Sequence, residues 1–330
     1  MFGRNLEDLI RVTEEQRSFD EDFFDFTDKL YPWTTVYRFF FLTDLIKKTQ
    51  FMLGIGQKNV VNYWVNGKRT EFSNKGPSYK VGVSYWLENG RLLHETRNEV
   101  INVQEGIVSR SFSFRKEDGG YAFAIDDIST RVFLDDSAAK TDYVRFNAGV
   151  SPFYRHNKYL PFQGEIMGEE VLKGFAFIQK VNLNMPFIPW RWGRVFFENG
   201  AQLDFYEPKI LVPLFKSISF EIGDKKLHFK LNQKISFENS VWSISGTAST
   251  GESIEARIHP YCNIRQSFET PRSTFVYNEM PSKVEHLSIN KGGELIHSKD
   301  SLGESVANCE NAYYSRISSI YTNAKCVNHK

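Results

Sequence analysis

The chain has 330 residues, of which 41 are basic and 40 acidic, so its formal net charge is +1. Hydrophobic residues make up 41% and charged residues 25%, a balance that indicates a globular protein of one large or two ordinary domains. The basic excess that drives nucleic-acid binding is missing, so no nucleic-acid partner is expected.

The first 57 residues predict an N-terminal helical arm, which is acidic in its first half. Asn5 is suited to cap a first turn, and Leu6, Leu9 and Ile10 fall on one helical face. Residues 1–30 hold nine acids against four bases. Such a charge run is usually a solvated face, but the arm could also pack on the body of the protein or dock a partner.

The early sequence predicts no membrane-spanning segment. Acidic residues occupy the part of the N-terminus where a signal peptide has its apolar run. The most apolar early stretch, 31–45, is interrupted by Arg38 and Asp44 and is too short to cross a bilayer. We therefore expect a cytoplasmic protein, with 39–45 as a candidate patch for peripheral contact with a membrane surface.

Short alternating runs separated by turn signals begin at Asn59 and predict antiparallel strands. Asn66-Gly67 and Asn89-Gly90 are typical of hairpin turns, because both residue types accept positive φ. Many short strands of this kind predict a sandwich or a barrel. The predicted strands of the first half are 60–65, 79–87, 91–103, 107–114 and 121–125.

The second half repeats the pattern of the first, which suggests a duplicated unit. Glu198-Asn199-Gly200 matches Glu88-Asn89-Gly90, and at nearly the same offset 217–220 matches 111–114. A boundary is expected near the polar stretch that ends at Lys158. The sequence therefore predicts an all-β fold, with a helical arm over 1–57, one antiparallel β-barrel over 58–158 and a second over 159–330.

The segment 174–206 carries a resemblance to a known family. It contains Gly174, then Phe-Ile-Gln179, then Pro189-Trp-Arg-Trp-Gly193, and finally Leu203-Asp-Phe-Tyr206. In these features it resembles the lipocalin-like tandem-barrel superfamily of carotenoid 1,2-hydratases, AttH-type proteins and tocopherol cyclases. The resemblance implies two calycin-like barrels that handle a hydrophobic, often isoprenoid, ligand. It also implies acid-promoted protonation of a C=C bond, followed by addition of water or an internal hydroxyl, without a metal or a nucleotide cofactor.

Asp204, Tyr206 and Arg191 are the predicted catalytic residues. Strand alternation places Asp204 and Tyr206 on one face and Leu203 on the other. If the first face lines the barrel lumen, Asp204 is a desolvated acid suited to proton donation. If that face meets water, which is usual for a polar face, Asp204 is an ordinary surface residue. Arg191 lies between two indoles and could clamp a ligand carboxylate.

The aromatic and amide side chains around the same segment predict a ligand site. Trp190 and Trp192 would either shape the mouth of an apolar pocket or plug one end of a barrel. Gln179 and Asn182 could orient a ligand carbonyl, although Asn also satisfies exposed backbone in turns. Tyr85-Trp86 corresponds to an early aromatic motif of the resembled family. The predicted ligand-binding residues are Gln179, Asn182, Trp190, Trp192, Tyr85 and Trp86.

No metal and no cofactor is predicted. The three cysteines, Cys262, Cys309 and Cys326, are odd in number and widely spaced, which argues against a disulfide framework and a cysteine-rich zinc site. His259 and Cys262 form the tightest cluster of metal-ligand types, but no second pair follows at a matching spacing. Glycine-rich phosphate loops and serine nucleophile elbows are also missing from the sequence.

Three interpretations of function stay open. The first is a protein that binds an apolar, isoprenoid-like small molecule and, if it is an enzyme, acts as a hydro-lyase (hydratase) or as a cyclase or isomerase. The second is a non-catalytic interaction protein whose barrels are filled by their own Phe and Trp side chains. The third is a lipid carrier at a membrane face. The sequence predicts neither the identity of the ligand nor the oligomeric state.

Overall fold

The computed structural model describes residues 17–73, 78–146, 153–184, 188–209, 216–315 and 325–326. Within them the regular structure is almost entirely antiparallel β-sheet, with two short α-helices and one 3-10 turn, so the predicted all-β fold is confirmed. The chain divides into two compact units. The described residues up to 87 and from 93 to 184 belong to the first unit, and those in 88–92 and from 188 onward belong to the second.

The first unit begins with one helical turn and continues in strands. Ser18 caps the helix in a capping box with Glu21, which satisfies two backbone N–H groups. A 3-10 turn follows the ninth strand at Asp126–Ile128. The elements are α1 (Phe19–Phe23), β1 (Thr35–Asp44), β2 (Gln50–Lys58), β3 (Tyr63–Val65), β4 (Lys68–Thr70), β5 (Ser78–Glu88), β6 (Leu92–Asn102), β7 (Ile107–Val108), β8 (Ser113–Glu117), β9 (Gly120–Ile125), β10 (Thr130–Asp135), β11 (Lys140–Phe146), β12 (Phe153–Ile166), β13 (Glu169–Glu170) and β14 (Gly174–Leu183).

Ten of these strands close into an antiparallel barrel. They hydrogen-bond in the order β10-β9-β8-β7-β6-β5-β2-β1-β14-β12, and β12 pairs again with β10. Closure removes the exposed edges that would otherwise attract further strands. The turn between β5 and β6 is the predicted Asn89-Gly90 hairpin, where Gly90 has a φ of +85°.

The helical turn α1 packs inside this barrel rather than standing in solvent. The ring of Phe23 lies 5.4 Å from the ring of Phe40 in β1 and 5.7 Å from the ring of Phe114 in β8. Phe19 and Phe26 belong to the same buried core. Of the three roles expected for the acidic arm, packing on the body is therefore the one seen for residues from 17 onward. The part of the predicted helical arm before residue 17 lies outside the described residues.

The predicted helical arm over 1–57 is wrong for its second half, because β1 and β2 are barrel strands. Both faces of β1 are largely buried, so its apolar residues form a continuous run without the alternation that marks a half-buried strand. The candidate membrane patch 39–45 falls mostly in this strand. Its residues Phe40, Phe41 and Leu42 are buried in the folded protein.

The second unit is built on a large antiparallel sheet. Its strands hydrogen-bond in the order β18-β17-β16-β15-β25-β23-β21-β20-β19, and β22 and β24 pair with β23. The elements are β15 (Trp190–Phe197), β16 (Gln202–Pro208), β17 (Ser217–Ile222), β18 (Lys225–His228), β19 (Leu231–Glu238), β20 (Val241–Thr247), β21 (Glu252–Pro260), β22 (Cys262–Thr270), β23 (Ser273–Lys291), β24 (Glu294–Ser298), α2 (Lys299–Leu302), β25 (Ser305–Ser315) and β26 (Lys325–Cys326).

The boundary between the units differs from the predicted one at 158/159. That position falls inside β12, which pairs with β10 and β14 of the first barrel. The division lies at 187/188 instead. The polar residues near Lys158 mark the interior of the first barrel rather than a linker, since Lys158 is buried. The polar stretch was interpreted as a boundary between domains, but a barrel can bury charged residues when they are paired.

Two further findings bear on localisation. No helix in the described part of the chain is long and apolar enough to cross a membrane. Cys262 is disulfide-bonded, whereas Cys309 is a free thiol buried in the core of the second unit. Disulfides persist mainly in oxidising compartments, so the cytoplasmic localisation stays a prediction.

Candidate acid site in the second unit

The two faces of the second sheet have different characters. One face carries the apolar core, which includes Val195 of β15 and Leu203 and Phe205 of β16. The other face presents the alternate residues of the same strands, including Asp204 and Tyr206, which are half-buried. The predicted alternation along β16 is therefore confirmed. The candidate site lies on this second face.

Asp204 is held as the counter-ion of a buried arginine. The guanidinium of Arg194, which lies directly opposite on β15, donates from Nε to Asp204 Oδ2 over 2.8 Å and also donates from Nη2. The side chain of Asp204 is neither a free lumen acid nor a fully solvated group. Tyr206 lies opposite Trp192 in the same strand pair. The proposed catalytic roles of Asp204 and Tyr206 stay predictions.

Arg191 is also engaged by neighbouring groups. It donates from Nη1 to Glu207 Oε2 over 2.8 Å and to the backbone oxygen of Ile235 over 3.1 Å. Lys216 contacts the other oxygen of Glu207 over 2.9 Å. Any ligand carboxylate at Arg191 would compete with Glu207, and the catalytic role of Arg191 stays a prediction as well.

The two tryptophans of β15 meet different partners. The guanidinium carbon of Arg194 lies 5.3 Å from the centroid of the Trp192 ring, which is a cation–π contact. The indole of Trp190 donates from Nε1 to Glu310 Oε2 over 2.7 Å. Trp190, a residue of the predicted segment, is therefore hydrogen-bonded to an acidic residue, Glu310, that the sequence did not identify as a candidate.

Glu310 belongs to a pair of carboxyl groups joined by a tyrosine. Glu310 of β25 lies directly opposite Glu279 of β23 in the strand register. The Tyr277 hydroxyl oxygen is 2.5 Å from Glu279 Oε1 and 2.5 Å from Glu310 Oε1. The amide of Asn308 donates to the other oxygen of Glu279. Glu279 is fully buried, whereas Glu310 is half-buried and is therefore the carboxyl that a ligand would meet.

Burial and mutual repulsion of the two carboxyl groups favour a protonated acid in this pair. A phenol has one hydroxyl proton and donates fully to one acceptor, so a proton on one of the two carboxyl groups would complete the second short contact of Tyr277. Burial raises the pKa of Glu279 to about 7. Burial and the neighbouring Glu279 raise the pKa of Glu310 well above its usual range. Two carboxyl groups this close resist joint ionisation, so one of them keeps its proton at neutral pH.

Aromatic rings surround the carboxyl pair. The Trp190 ring lies 5.4 Å from Phe275 and 5.6 Å from Tyr277, and Phe268 lies 6.3 Å from Tyr277. Tyr314 contacts Phe275 at 5.2 Å and is 44% exposed, so the series of rings reaches the protein surface. The arrangement combines an apolar, aromatic surface with a protonated carboxyl, which suits proton donation to an apolar molecule.

The remaining predicted ligand residues lie in the first unit and do not converge. Gln179 donates to Asn157 Oδ1 over 2.7 Å, and Asn182 donates to Asp28 Oδ1 over 3.2 Å. Tyr85 donates to Glu95 Oε2 over 2.8 Å, while Trp86 next to it points to the opposite face of β5 and is fully buried. Gln179, Asn182 and Tyr85 therefore form their hydrogen bonds with neighbours in their own unit. Their role as ligand contacts stays a prediction.

The interior of the first barrel is charged at the end where α1 enters. Lys180 Nζ lies 2.9 Å from Asp22 Oδ1 and 2.8 Å from Asp28 Oδ2, and His156 Nδ1 lies 3.2 Å from Asp22 Oδ2. Arg38 donates to the backbone oxygen of Phe23 over 2.6 Å. The acidic arm is thus the counter-ion of buried cations in the barrel, and its Phe rings fill the apolar space beside them.

Candidate metal ligands do not assemble in the described part of the chain, where no three His, Cys, Asp or Glu side chains form a metal-binding group. His259, the ligand type noted in the sequence, contacts Glu285 Oε2 over 2.8 Å instead. Cys262, the other member of that cluster, is in a disulfide.

Comparisons with known proteins find similarity only among solved structures, at low sequence identity in those described below. No family model matches the sequence. No curated protein matches it either. A provisionally assigned AttH from Nitrosomonas europaea is similar at 11% identity and a TM-score of 0.42, over 84% of this chain and 91% of that chain.

Two further solved structures are similar over most of their length. CghA with Sch210972 matches at 11% identity and a TM-score of 0.44, over 86% of this chain and 89% of that chain. Kievitone hydratase from Nectria haematococca matches at 8% identity and a TM-score of 0.44, over 85% of this chain and 89% of that chain. At these values the similarity assigns neither a ligand nor an activity to this chain.

Proposed function

We propose that the carboxyl pair Glu279–Glu310 with Tyr277 is a proton-transfer site for an apolar ligand that contains a C=C bond. The observation that carries the proposal is the Tyr277 hydroxyl, 2.5 Å from both carboxyl groups, which holds the two acids so close together that one neutral acid is favoured. The reaction class is acid-promoted hydration, cyclisation or isomerisation. An isoprenoid-like ligand suits this chemistry, because its branched double bonds give tertiary carbocations on protonation.

The chemistry assigns a separate role to each group. Glu310 gives its carboxyl proton to one carbon of the double bond, and the other carbon becomes a carbocation. Water or a hydroxyl of the same ligand then bonds to that carbon, and the proton released returns to the Glu310 carboxylate. In an isomerisation, a proton leaves a neighbouring carbon instead. The acid is regenerated in every case, so no external proton is consumed.

The surroundings of Glu310 support both steps. The rings of Trp190 and Phe275 present π faces that stabilise a nearby positive charge. Tyr277 can pass a proton between Glu310 and the fully buried Glu279, which makes Glu279 a proton reserve. The hydrogen bond from Trp190 to Glu310 fixes the orientation of the acid relative to the aromatic surface.

Solvent deuterium incorporation tests the proposal. The full chain is incubated in D2O with geraniol, farnesol and squalene, and products are analysed by mass spectrometry. We expect deuterium on a former alkene carbon, a loss of about 100-fold or more in Glu310→Gln, and a smaller loss in Tyr277→Phe. Glu255→Gln is the matched control, because Glu255 is an exposed glutamate of the same sheet, and it should behave as the parent.

A spectroscopic measurement tests the same site without a substrate. The infrared band of a protonated carboxylic acid should be present in the parent at neutral pH and weakened in Glu310→Gln, but unchanged in Glu255→Gln. A parent protein without such a band has no neutral acid at this site, and the proposal would then be wrong.

A second candidate function follows from the first unit. Its interior is filled by α1 and by rings such as Phe23, Phe40 and Phe114, as expected for a non-catalytic interaction protein. Native mass spectrometry of the purified protein separates the two candidates. A clean mass from a host that makes isoprenoids supports the non-catalytic role, whereas a co-purified isoprenoid supports the acid site.

A further inference from the structure

The amide nitrogen of one buried glutamine beside the acid site has no hydrogen-bond partner in the part of the chain that the structure describes. Gln266 of β22 is 2% exposed, and its Nε2 contacts no acceptor among the described residues. An unpaired buried donor is costly, and such a group in a folded protein calls for an explanation. An apolar side chain of the same length would avoid the free-energy cost of an unpaired donor. The presence of an amide at position 266 therefore needs an explanation.

Gln266 belongs to the same face of the sheet as the acid pair. It lies directly opposite Tyr277 in the register of β22 and β23. Phe268, two residues further along β22, points to the same side, and its ring contacts the Tyr277 ring at 6.3 Å. The amide therefore borders the aromatic surface on which a ligand of Glu310 would lie.

We propose that Gln266 donates a hydrogen bond to an oxygen of the ligand, so that the substrate is an apolar molecule with an acceptor oxygen rather than a pure hydrocarbon. This inference rests on the proposed acid site and adds its substrate class. The orphaned atom is the amide nitrogen, which is a donor only, so the matching ligand group is a carbonyl, ether or hydroxyl oxygen.

The sheet geometry limits how far this oxygen lies from the reacting carbon. Gln266 on β22 and Glu310 on β25 flank the central strand β23. Their backbones are two strand spacings apart and offset by two residues along the strands, a separation of about 12 Å, and side chains that lean toward each other shorten the gap. One ring or a short conjugated segment between the oxygen and the double bond spans this distance. The ring would rest against the aromatic side chains already described.

Paired ligands that differ in one oxygen test the inference by binding alone. Calorimetry compares 2-acetylnaphthalene with 2-ethylnaphthalene, which share a carbon skeleton and differ in the carbonyl oxygen. We expect the parent to bind the ketone at least tenfold more tightly. Gln266→Met should lose that preference while keeping its affinity for the hydrocarbon. Gln163→Met, an exposed glutamine of the first unit, is the matched control and should keep the preference.

The outcomes separate this inference from the acid site. A parent without a ketone preference, a parent that binds neither compound, or a Gln266→Met variant that keeps the preference would each overturn the role of Gln266. Thermal unfolding supplies a second measurement, because removing an orphaned donor should leave the midpoint of Gln266→Met unchanged or raised. A lowered midpoint means that the amide has a structural partner and also overturns the inference. Failure of the acid site itself appears separately, as retained deuterium incorporation in Glu310→Gln.

Discussion

Replacing Asp22 by asparagine should destabilise the first unit by about 2 kcal/mol at neutral pH. Burial alone would raise the pKa of Asp22, but hydrogen bonds from His156 and Lys180 outweigh burial and lower it from 3.8 to about 2. Each pKa unit corresponds to about 1.4 kcal/mol, so the ionised carboxylate adds about 2 kcal/mol to the free energy of unfolding.

The direction of the pH dependence follows from the lowered pKa. The folded chain binds a proton at Asp22 less tightly than the unfolded chain does. The stabilisation of the folded state by ionised Asp22 is therefore complete above a pH of about 4 and is lost as the pH falls toward about 2. Urea unfolding of the parent and Asp22→Asn, followed by circular dichroism at neutral pH and at several points in this window, measures the difference.

A control variant separates this effect from a general loss of charge. Asp127 forms an ion pair with Arg97 at the surface, where its side chain is 56% exposed. Asp127→Asn should cost less than about 1 kcal/mol, because solvent screens exposed ion pairs. If both variants lose the same stability, or if the deficit of Asp22→Asn does not shrink as the pH falls, the arm is not held by the charge on Asp22.

Two further predictions concern the second unit. Proton transfer should continue at neutral pH and slow as the pH rises further, because the pKa of Glu310 is raised well above its usual range and the acid is lost only when Glu310 ionises. A rate that is already lost between about pH 4 and 5, where an ordinary glutamate ionises, would contradict the role of the pair. Gly193→Ala should destabilise the unit by about 1–3 kcal/mol, since a Cβ there would lie 2.1 Å from the Phe205 ring. Gly54→Ala should lower the free energy of unfolding by less, because a Cβ there would lie 3.2 Å from the Phe39 ring. Equal urea midpoints for the two variants would refute the steric argument.

The sequence predicted the local features of the fold better than its global ones. The turns Asn89-Gly90 and Asn199-Gly200 were predictable, because positive φ at their glycines is a local requirement. The alternation of Leu203, Asp204 and Phe205 was predictable for the same reason, since one face of β16 is buried. β1 was not, because burial on both faces removes the period that distinguishes a strand from a helix.

Sequence patterns alone could not predict the proposed acid site. Glu279 and Glu310 become neighbours only through the pairing of β23 with β25, and nothing local links the two segments. The sequence does show that Tyr277 and Glu279 are two residues apart, which places both on the same side of a strand. The structure shows that this side is buried. Trp190 was predicted as a ligand residue, which stays a prediction, and its partner Glu310 could be found only in three dimensions.

The position of β1 in the closed barrel has a consequence for biosynthesis. Thr35 pairs with Leu183, so the first strand of the barrel needs its last strand as a neighbour. At about 5–20 residues per second, a ribosome takes on the order of 10–30 s to make the intervening chain. Throughout that interval the nascent segment Phe39-Phe40-Phe41 lacks one of its two flanking strands. A contact this distant in sequence predicts slow folding and makes this phenylalanine run a natural target for chaperones on the ribosome.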